Sequence, residues 1–288
     1  MKQLNTYLEG LLGGTKTGIN SAATDWLMSY VQSGKVFKAH GEFDCTLDND
    51  TINIDTKYTG IVNIALDNLN EFTNSNAYQK CGIKKIHFNT EVVSGYSNSL
   101  TFNKNTTLSS DNQIHVYTYY TARISGLNIE AQKVEIAGCT TLKDCNVNAH
   151  IIFLVDKSKT IQCNLKSDYI FICSSFEKTK IKLLSELGLV ENNGATRLNF
   201  IKQDDSNKPL INIDPIKVLG LKKWVGDTIV ITERWRDMDM SDCAIITKDK
   251  SMILNANNIL EMKNGWWVGI FNNSQVDYIK SITNFKSI

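Results

Sequence analysis

Apolar residues along this chain change their spacing from helical to alternating and then to a long repeat. Leu4, Leu8, Leu11 and Leu12 recur at i, i+4, i+7 and i+8, one face of a short helix. Gly13-Gly14 ends it, glycine being the usual residue just past a helix C-terminus. A second helix is predicted over about residues 21–33, with Asn20 or Ser21 as cap, Trp26, Leu27, Tyr30 and Val31 on its apolar side and Gly34 as its stop. From Val36 the period becomes two: Phe37, Ala39, Gly41, Phe43, Cys45 and Leu47 alternate with polar residues, as in a half-buried strand. Between 50 and 120 follow "TINID", "GIVNIAL", "KKIHFN", "SLTFN" and "QIHVYTYY", each a short strand closed by Asn, Asp or Gly.

After Gly126 the pattern repeats every eighteen residues. Asn128, Asn146 and Asn164 share a column, as do Ile129, Val147 and Leu165; Ala131, Ala149 and Ser167; Val134, Ile152 and Ile170; and Ile136, Leu154 and Ile172. Five columns in three copies without a gap predict stacked coils that bury one another's apolar faces. Cys145 and Cys163 then fall in a column that Leu127 occupies one copy earlier. A column that accepts Leu or Cys selects for size and apolarity. Earlier coils are uneven, and if the stack runs to about residue 190, a rung every ~4.8 Å makes a prism of only about 40 Å.

"TKIKLLSELGLVENNGATR" ends the repeat and opens with a candidate capping helix. The stretch 191–215 reads as a linker or cap. Beyond Pro215 come "DTIVITERW", "DCAIITKD", "SMILNANNILEM" and "GWWVGIFNN", expected as antiparallel strands with turns at Lys248-Asp249-Lys250 and Asn264-Gly265. The expected fold is mainly β. It comprises a helical N-terminal segment (1–35), an irregular β-solenoid (36–190, with eighteen-residue coils best seen at 126–180), the linker (191–215) and a C-terminal antiparallel β domain (216–288).

Charge and composition narrow the function classes. With 31 basic and 30 acidic side chains and no basic cluster, the chain lacks the positive footprint of a nucleic-acid binder. No apolar run reaches the ~18 residues of a membrane span, and the start lacks the apolar core of a signal peptide. Seven cysteines, an odd number and widely scattered, read as reduced thiols rather than a disulfide scaffold. Only two prolines occur, and asparagine punctuates short β-branched runs, as suits many strands joined by tight turns.

No Gly-rich phosphate loop, G-x-S-x-G elbow or H-E-x-x-H is present, so no catalytic residue, metal ligand set or cofactor is assigned. His40, His87, His115 and His150 are far apart and read as strand residues. Glu130, Glu135, Asp144, Asp156 and Asp168 lie on the regular coils, where paired carboxylates could cleave a glycan. Asp156 and Asp168 fall at turns, however, and Glu130 and Glu135 become Asn148 and Phe153 one coil later. Solvated turn acids are the preferred reading. Asp237 and Asp239 form a weak D-x-D cation motif. Trp235, Trp266 and Trp267 are the candidates for stacking on a sugar or a partner, with the condition that adjacent residues in a strand face opposite ways.

The first segment, "MKQLNTYLEGLLGG", resembles the opening of many virion proteins of tailed phages of gut bacteria, the crAss-like group in particular, over about fourteen residues. The resemblance implies a head fibre or capsid decoration fixed to the capsid or another virion protein by its N-terminal segment, with the β-rich part projecting, usually as a trimer, a dimer being the alternative. It puts Leu4, Tyr7, Leu8, Leu11 and Leu12 in the docking role and the protein in a virion assembled in the host cytoplasm. The same four leucines could instead pack on their own domain. This chain is shorter than long receptor-binding fibres. The expectation is a non-enzymatic structural protein. The alternatives are a tail-associated carbohydrate-binding or depolymerising protein that contacts surface glycans and, third, a bacterial surface repeat protein.

Overall fold

The computed structural model describes residues 16–39, 42–57, 60–173, 214–232, 243–256, 258–262 and 265–271. Its strands wind into a three-sided β-solenoid. On the first side β3 (Thr51–Thr56), β5 (Lys85–Phe88), β8 (Thr107–Ser110), the start of β10 (Asn128–Lys143), the start of β11 (Asn146–Val155), β13 (Cys163–Lys166) and β15 (Leu221–Val225) stack in parallel. The second side stacks β4 (Ile61–Ala65), β6 (Glu91–Gly95), β9 (Gln113–Ser125), the middle of β10, the end of β11, β14 (Tyr169–Cys173) and β16 (Thr228–Thr232). The third is narrower: β7 (Leu100–Thr101), the ends of β9 and β10, and β12 (Lys159–Ile161).

The eighteen-residue columns are the register itself. Asn128 pairs with Asn146 and Asn146 with Asn164; Val134 pairs with Ile152 and Ile152 with Ile170. Alternation along each strand sends Ile129, Val147, Leu165, Val134, Ile152 and Ile170 into the prism, where all are buried. Each such side chain contributes on the order of 1.5–3 kcal/mol of gross apolar burial. The column Leu127, Cys145, Cys163 is closed one rung later by Leu221, the register partner of Cys163. Both thiols are fully buried, so packing explains them.

Corners need backbone that turns sharply without a hairpin. Gly126, Asp144, Gln162 and Gly220 occupy one corner of successive rungs, all in the left-handed region, with φ of 78°, 51°, 53° and 67°. Glycine reaches this region without strain, whereas a β-carbon there is penalised by about 1 kcal/mol. Gln162→Gly is therefore expected to raise stability by about 0.5–1 kcal/mol, read as a higher urea midpoint. An unchanged or lower midpoint would contradict the strain argument.

The N-terminal end is closed by reversing the chain. β1 (Phe37–Ala39) runs antiparallel to β4, and β2 (Phe43–Asp48) antiparallel to β3. Helix α1 (Lys16–Gln32) lies on β2, burying Leu27 and Val31 and placing Met28 Sδ 3.9 Å from Cys45 Sγ. It starts earlier than the predicted residue 21, because nothing in "KTGINSAA" except one glycine opposes helix; Gly34, at φ 70°, ends it as expected. On the third side the chain forms helices instead of a strand: α2 (Leu66–Thr73) buries Leu66, Leu69 and Phe72, and Ser75 caps α3 (Asn76–Lys80) by accepting the Tyr78 amide. Asn70 of α2 and Asn74, the residue that caps its C-terminus, both donate to the Thr101 carbonyl of β7, at 2.8 and 3.0 Å.

At the other end the picture differs from the sequence reading in one respect. The strands β15 and β16, expected to belong with the antiparallel C-terminal strands, are a further parallel rung laid on β13 and β14. Asp214 caps a single helical turn, α4 (Pro215–Val218), that leads into it. Antiparallel pairing begins only with β17 (Cys243–Thr247) on β16, followed by β19 (Trp267–Phe271) on β17 and β18 (Asn258–Glu261) on β19. The expected turn at Lys248-Asp249-Lys250 is there, with Asp249 accepting the Ser251 amide at the head of a 3₁₀ turn over Lys250–Ile253. The outward positions Phe153, Phe171 and Val230 of the second side, with Ile245 of β17 and Phe271 of β19, form a second apolar core against which Met252, Ala256, Ile259 and Trp267 pack. The candidate cap at 179–197 and the linker before Asp214 lie outside the described residues.

Candidate functional site

The outward positions of the first side are polar. Alternation puts Asn128, Asn146 and Asn164 there, one above another, and their amides form a ladder: Asn164 Nδ2 donates to Asn146 Oδ1 at 2.7 Å, Asn146 Nδ2 to Asn128 Oδ1 at 2.6 Å, and Asn128 Nδ2 to the Lys104 carbonyl at 2.8 Å. Identical amides one rung apart satisfy each other, as in stacked β assemblies. Beside this ladder a second outward row carries Glu130, Asn148 and Lys166, and the two rows line a shallow groove of about 360 Å³. A second groove of about 340 Å³ adjoins it at Glu130 and Asn148 and is bordered by Lys85, His87, Asp111 and His150.

Three charged pairs of this surface link one rung to another. Lys85 Nζ is 2.7 Å from Glu130, His87 Nε2 is 3.4 Å from Asp111 with its Nδ1 2.9 Å from Ser109 Oγ, and His150 Nδ1 is 2.5 Å from Asp168. On the second side His115 faces the buried Glu135 at 3.4 Å. Of the carboxylates weighed as an acid pair, Glu130, Glu135 and Asp168 thus each face a cation or an imidazole. Asp144 and Asp156 sit at left-handed corners, with φ of 51° and 59°. Among the described residues no three His, Cys, Asp or Glu side chains gather as metal ligands would. What the surface offers is a dense field of amide, hydroxyl and ion-paired groups on a flat wall. Such a wall suits hydrogen bonding to a polyhydroxylated ligand.

Two of the three tryptophans proposed for stacking, Trp266 and Trp267, pack against the two cores. Trp266 is only 3 % exposed; its ring stacks on Trp224 at 5.8 Å, and Lys248 Nζ lies 5.0 Å from its centroid. It points into the main core while its neighbour Trp267 points to the second core, where Lys250 Nζ sits 4.1 Å from its ring. Both faces of this sheet are covered, so adjacent tryptophans are both accommodated, and Trp266 is a core residue rather than a ligand platform. Trp224, also buried, donates its indole N–H to Ser167 Oγ at 3.2 Å. Trp235, Asp237, Asp239 and His40 lie outside the described residues, as do Leu4, Tyr7, Leu8, Leu11 and Leu12 of the docking segment.

Burial governs the thiols. Cys145 is held well above the ordinary thiol range by its hydrogen-bonded neighbour Cys163 and by its own burial, and burial with the nearby Asp55 pushes Cys45 up to about 12. The thiolate is the reactive form. Cys163 is shifted the other way, its acidity raised by the contact with Cys145, so it is protected by its complete burial alone. At pH 8 Cys45, Cys145 and Cys163 of the folded protein are expected to resist Ellman's reagent for as long as the fold persists, and all three react in guanidinium. Stoichiometric labelling of these cysteines in the native state, read by peptide mass, would refute this.

The aromatic residues that stand in solvent are ones the sequence reading passed over. Tyr119 is 82 % and Tyr120 72 % exposed. The signal was present: in "QIHVYTYYTAR" the alternation of Ile114, Val116 and Thr118 breaks at two consecutive tyrosines before Ala122 and Ile124 resume it. No family model matches the chain, and comparisons with curated proteins and with solved structures return no match.

Proposed function

We propose that the chain is a non-enzymatic structural protein of a tailed-phage particle, a short head fibre or capsid decoration held through its N-terminal segment and working as a homo-oligomer, a trimer before a dimer. The observation that carries this reading is a stack of laterally bonded coils with a capped end: a rigid spacer whose side chains are committed to packing, ladders and ion pairs. The resemblance of "MKQLNTYLEGLLGG" to virion proteins adds the attachment point, with Leu4, Tyr7, Leu8, Leu11 and Leu12 as its apolar contacts. One weak anchor per chain becomes a firm one when several chains dock together.

The second reading, a tail-associated protein that binds or cleaves polysaccharide, is favoured by the polar wall around Asn146 and Asn148. Light scattering, glycan incubation and particle assembly separate the two. The first predicts a trimeric or dimeric mass, no release of sugar from bacterial surface polysaccharides, and loss of incorporation into particles when residues 1–14 are deleted. A monomer that incorporates equally well without those residues would sink it, and release of oligosaccharide would replace it with the second.

A further inference from the structure

We propose that Tyr119 and Tyr120 form a saccharide-stacking platform on the corner between the second and third sides of the prism. The bulge that carries them is built in. Gly138 of the next rung pairs with Thr118 and Thr140 pairs with Ala122, so Tyr119, Tyr120 and Thr121 stand opposite the single residue Cys139. Extra residues in a ladder leave backbone groups unpaired and are concentrated where a side chain is being re-aimed. Here the loss is offset by Thr118, whose buried hydroxyl donates to the Tyr120 carbonyl at 3.0 Å and accepts the Tyr120 N–H at 3.2 Å. The bulge is thus a fixed turn that holds two large rings in water.

Rings so exposed gain nothing for the fold from their apolar area, and a phenol's π-face is complementary to the polarised C–H face of a pyranose. Tyr117, which lies over Gly95, meets Tyr119 edge-to-face at 5.4 Å and fixes that ring from one side. The surroundings favour a sugar over a protein partner. Thr121 and Arg123 follow in the chain, and in the rung before, Ser99 accepts the Arg123 N–H at 3.2 Å while Asn98 and Ser97 bond to Asp67. Two exposed aromatic rings on a corner whose neighbouring rung carries hydroxyl, amide and carboxylate groups match the alternating apolar faces and hydroxyl rims of a hexopyranose polymer. A protein hot spot would instead sit near the centre of a broad, well-packed apolar patch, and these two rings stand on a polar corner. The inference stands apart from the virion assignment, since a fibre, a tail protein or a cell-surface protein would use such a platform in the same way.

The test is native gel electrophoresis of the full-length chain through gels containing soluble polymers of glucose, mannose or galactose. At least one polymer is expected to retard the wild-type chain. Tyr119→Ala and Tyr120→Ala are each expected to weaken that retardation on the order of tenfold in apparent Kd, whereas Tyr119→Phe and Tyr120→Phe, which keep the ring, retain it. Both rings are exposed, so the melting temperature should not move, which separates loss of binding from loss of fold. Absence of retardation by every polymer overturns the proposal, as does full retardation of the Tyr119→Ala/Tyr120→Ala double variant. A drop in native mass on double substitution, without any glycan effect, would assign the tyrosines to a contact between copies and overturn it equally.

Discussion

Gly138→Ala is expected to lower the unfolding free energy by about 3 kcal/mol or more, well beyond the effect of the same change at Gly82. Both glycines are left-handed, with φ of 66° and 70°. The difference is what surrounds them. A β-carbon on Gly82 meets nothing within 4 Å, whereas one on Gly138 falls 2.2 Å from the Thr118 carbonyl oxygen of the adjacent rung. Gly82→Ala therefore carries the conformational penalty alone, about 1 kcal/mol. Gly138→Ala adds an overlap with backbone, which no rotamer change relieves. Relief requires the rungs to separate where Lys157 N–H also bonds to the Gly138 carbonyl. Urea unfolding followed by tryptophan fluorescence measures both variants; equal losses would show that the rung contact carries no weight.

Phe88→Ala is expected to cost about 3–5 kcal/mol, the range for deleting a fully buried ring. Phe88 is 0 % exposed and meets Phe37 edge-on at 5.2 Å. It sits on β5 opposite Ile54 and Ser110, while Phe37 belongs to the reversing strand β1. The contact ties the terminal cap to the first parallel rungs. Because each rung touches mainly its neighbours, the damage should stay local: amides of residues 37–65 exchange faster in the variant, while those of 128–173 keep their protection. A double variant with Phe37→Ala should lose less than the two singles together, since the ring pair can be broken only once. Additive losses, or uniform deprotection along the prism, would contradict this account.

How much of this was legible depends on how regular the chain is. The coils from Asn128 to Cys173 could be read directly, because an ungapped eighteen-residue spacing keeps every column in phase and each column has one chemistry. The rungs before them share the architecture but not the length: Ile86, Leu108 and Ile129 are register partners at unequal spacing. The third side of the first coil is helical, and Leu66, Leu69 and Phe72 were the signal for it. The continuation at β15 and β16 was hidden by the long interval after Cys173, although the residues repeat the pattern. "LKSDYIFI" at 165–172 and "WVGDTIVI" at 224–231 both place a small residue and then Asp before alternating isoleucines. The runs "IIFLV", "YIFIC" and, between two threonines, "IVI" are apolar at consecutive positions rather than every second one, which is what burial on both sides requires. As for the site, the Asn column was visible but its outward direction was not, and Asp168 read as a turn acid because its partner His150 lies on the rung before.

The reversed chain at the N-terminal end has a consequence for growth. An open parallel rung is a template, and a second prism could add to it end-on and propagate into a filament. Here β2, β1 and α2 occupy that end on the three sides, two of them antiparallel and the third without a strand edge to offer. No copy can dock there while preserving the parallel register. Parallel stacking therefore stops at this end within the polypeptide itself, and the height of the prism below β3 is fixed by the fold rather than by association.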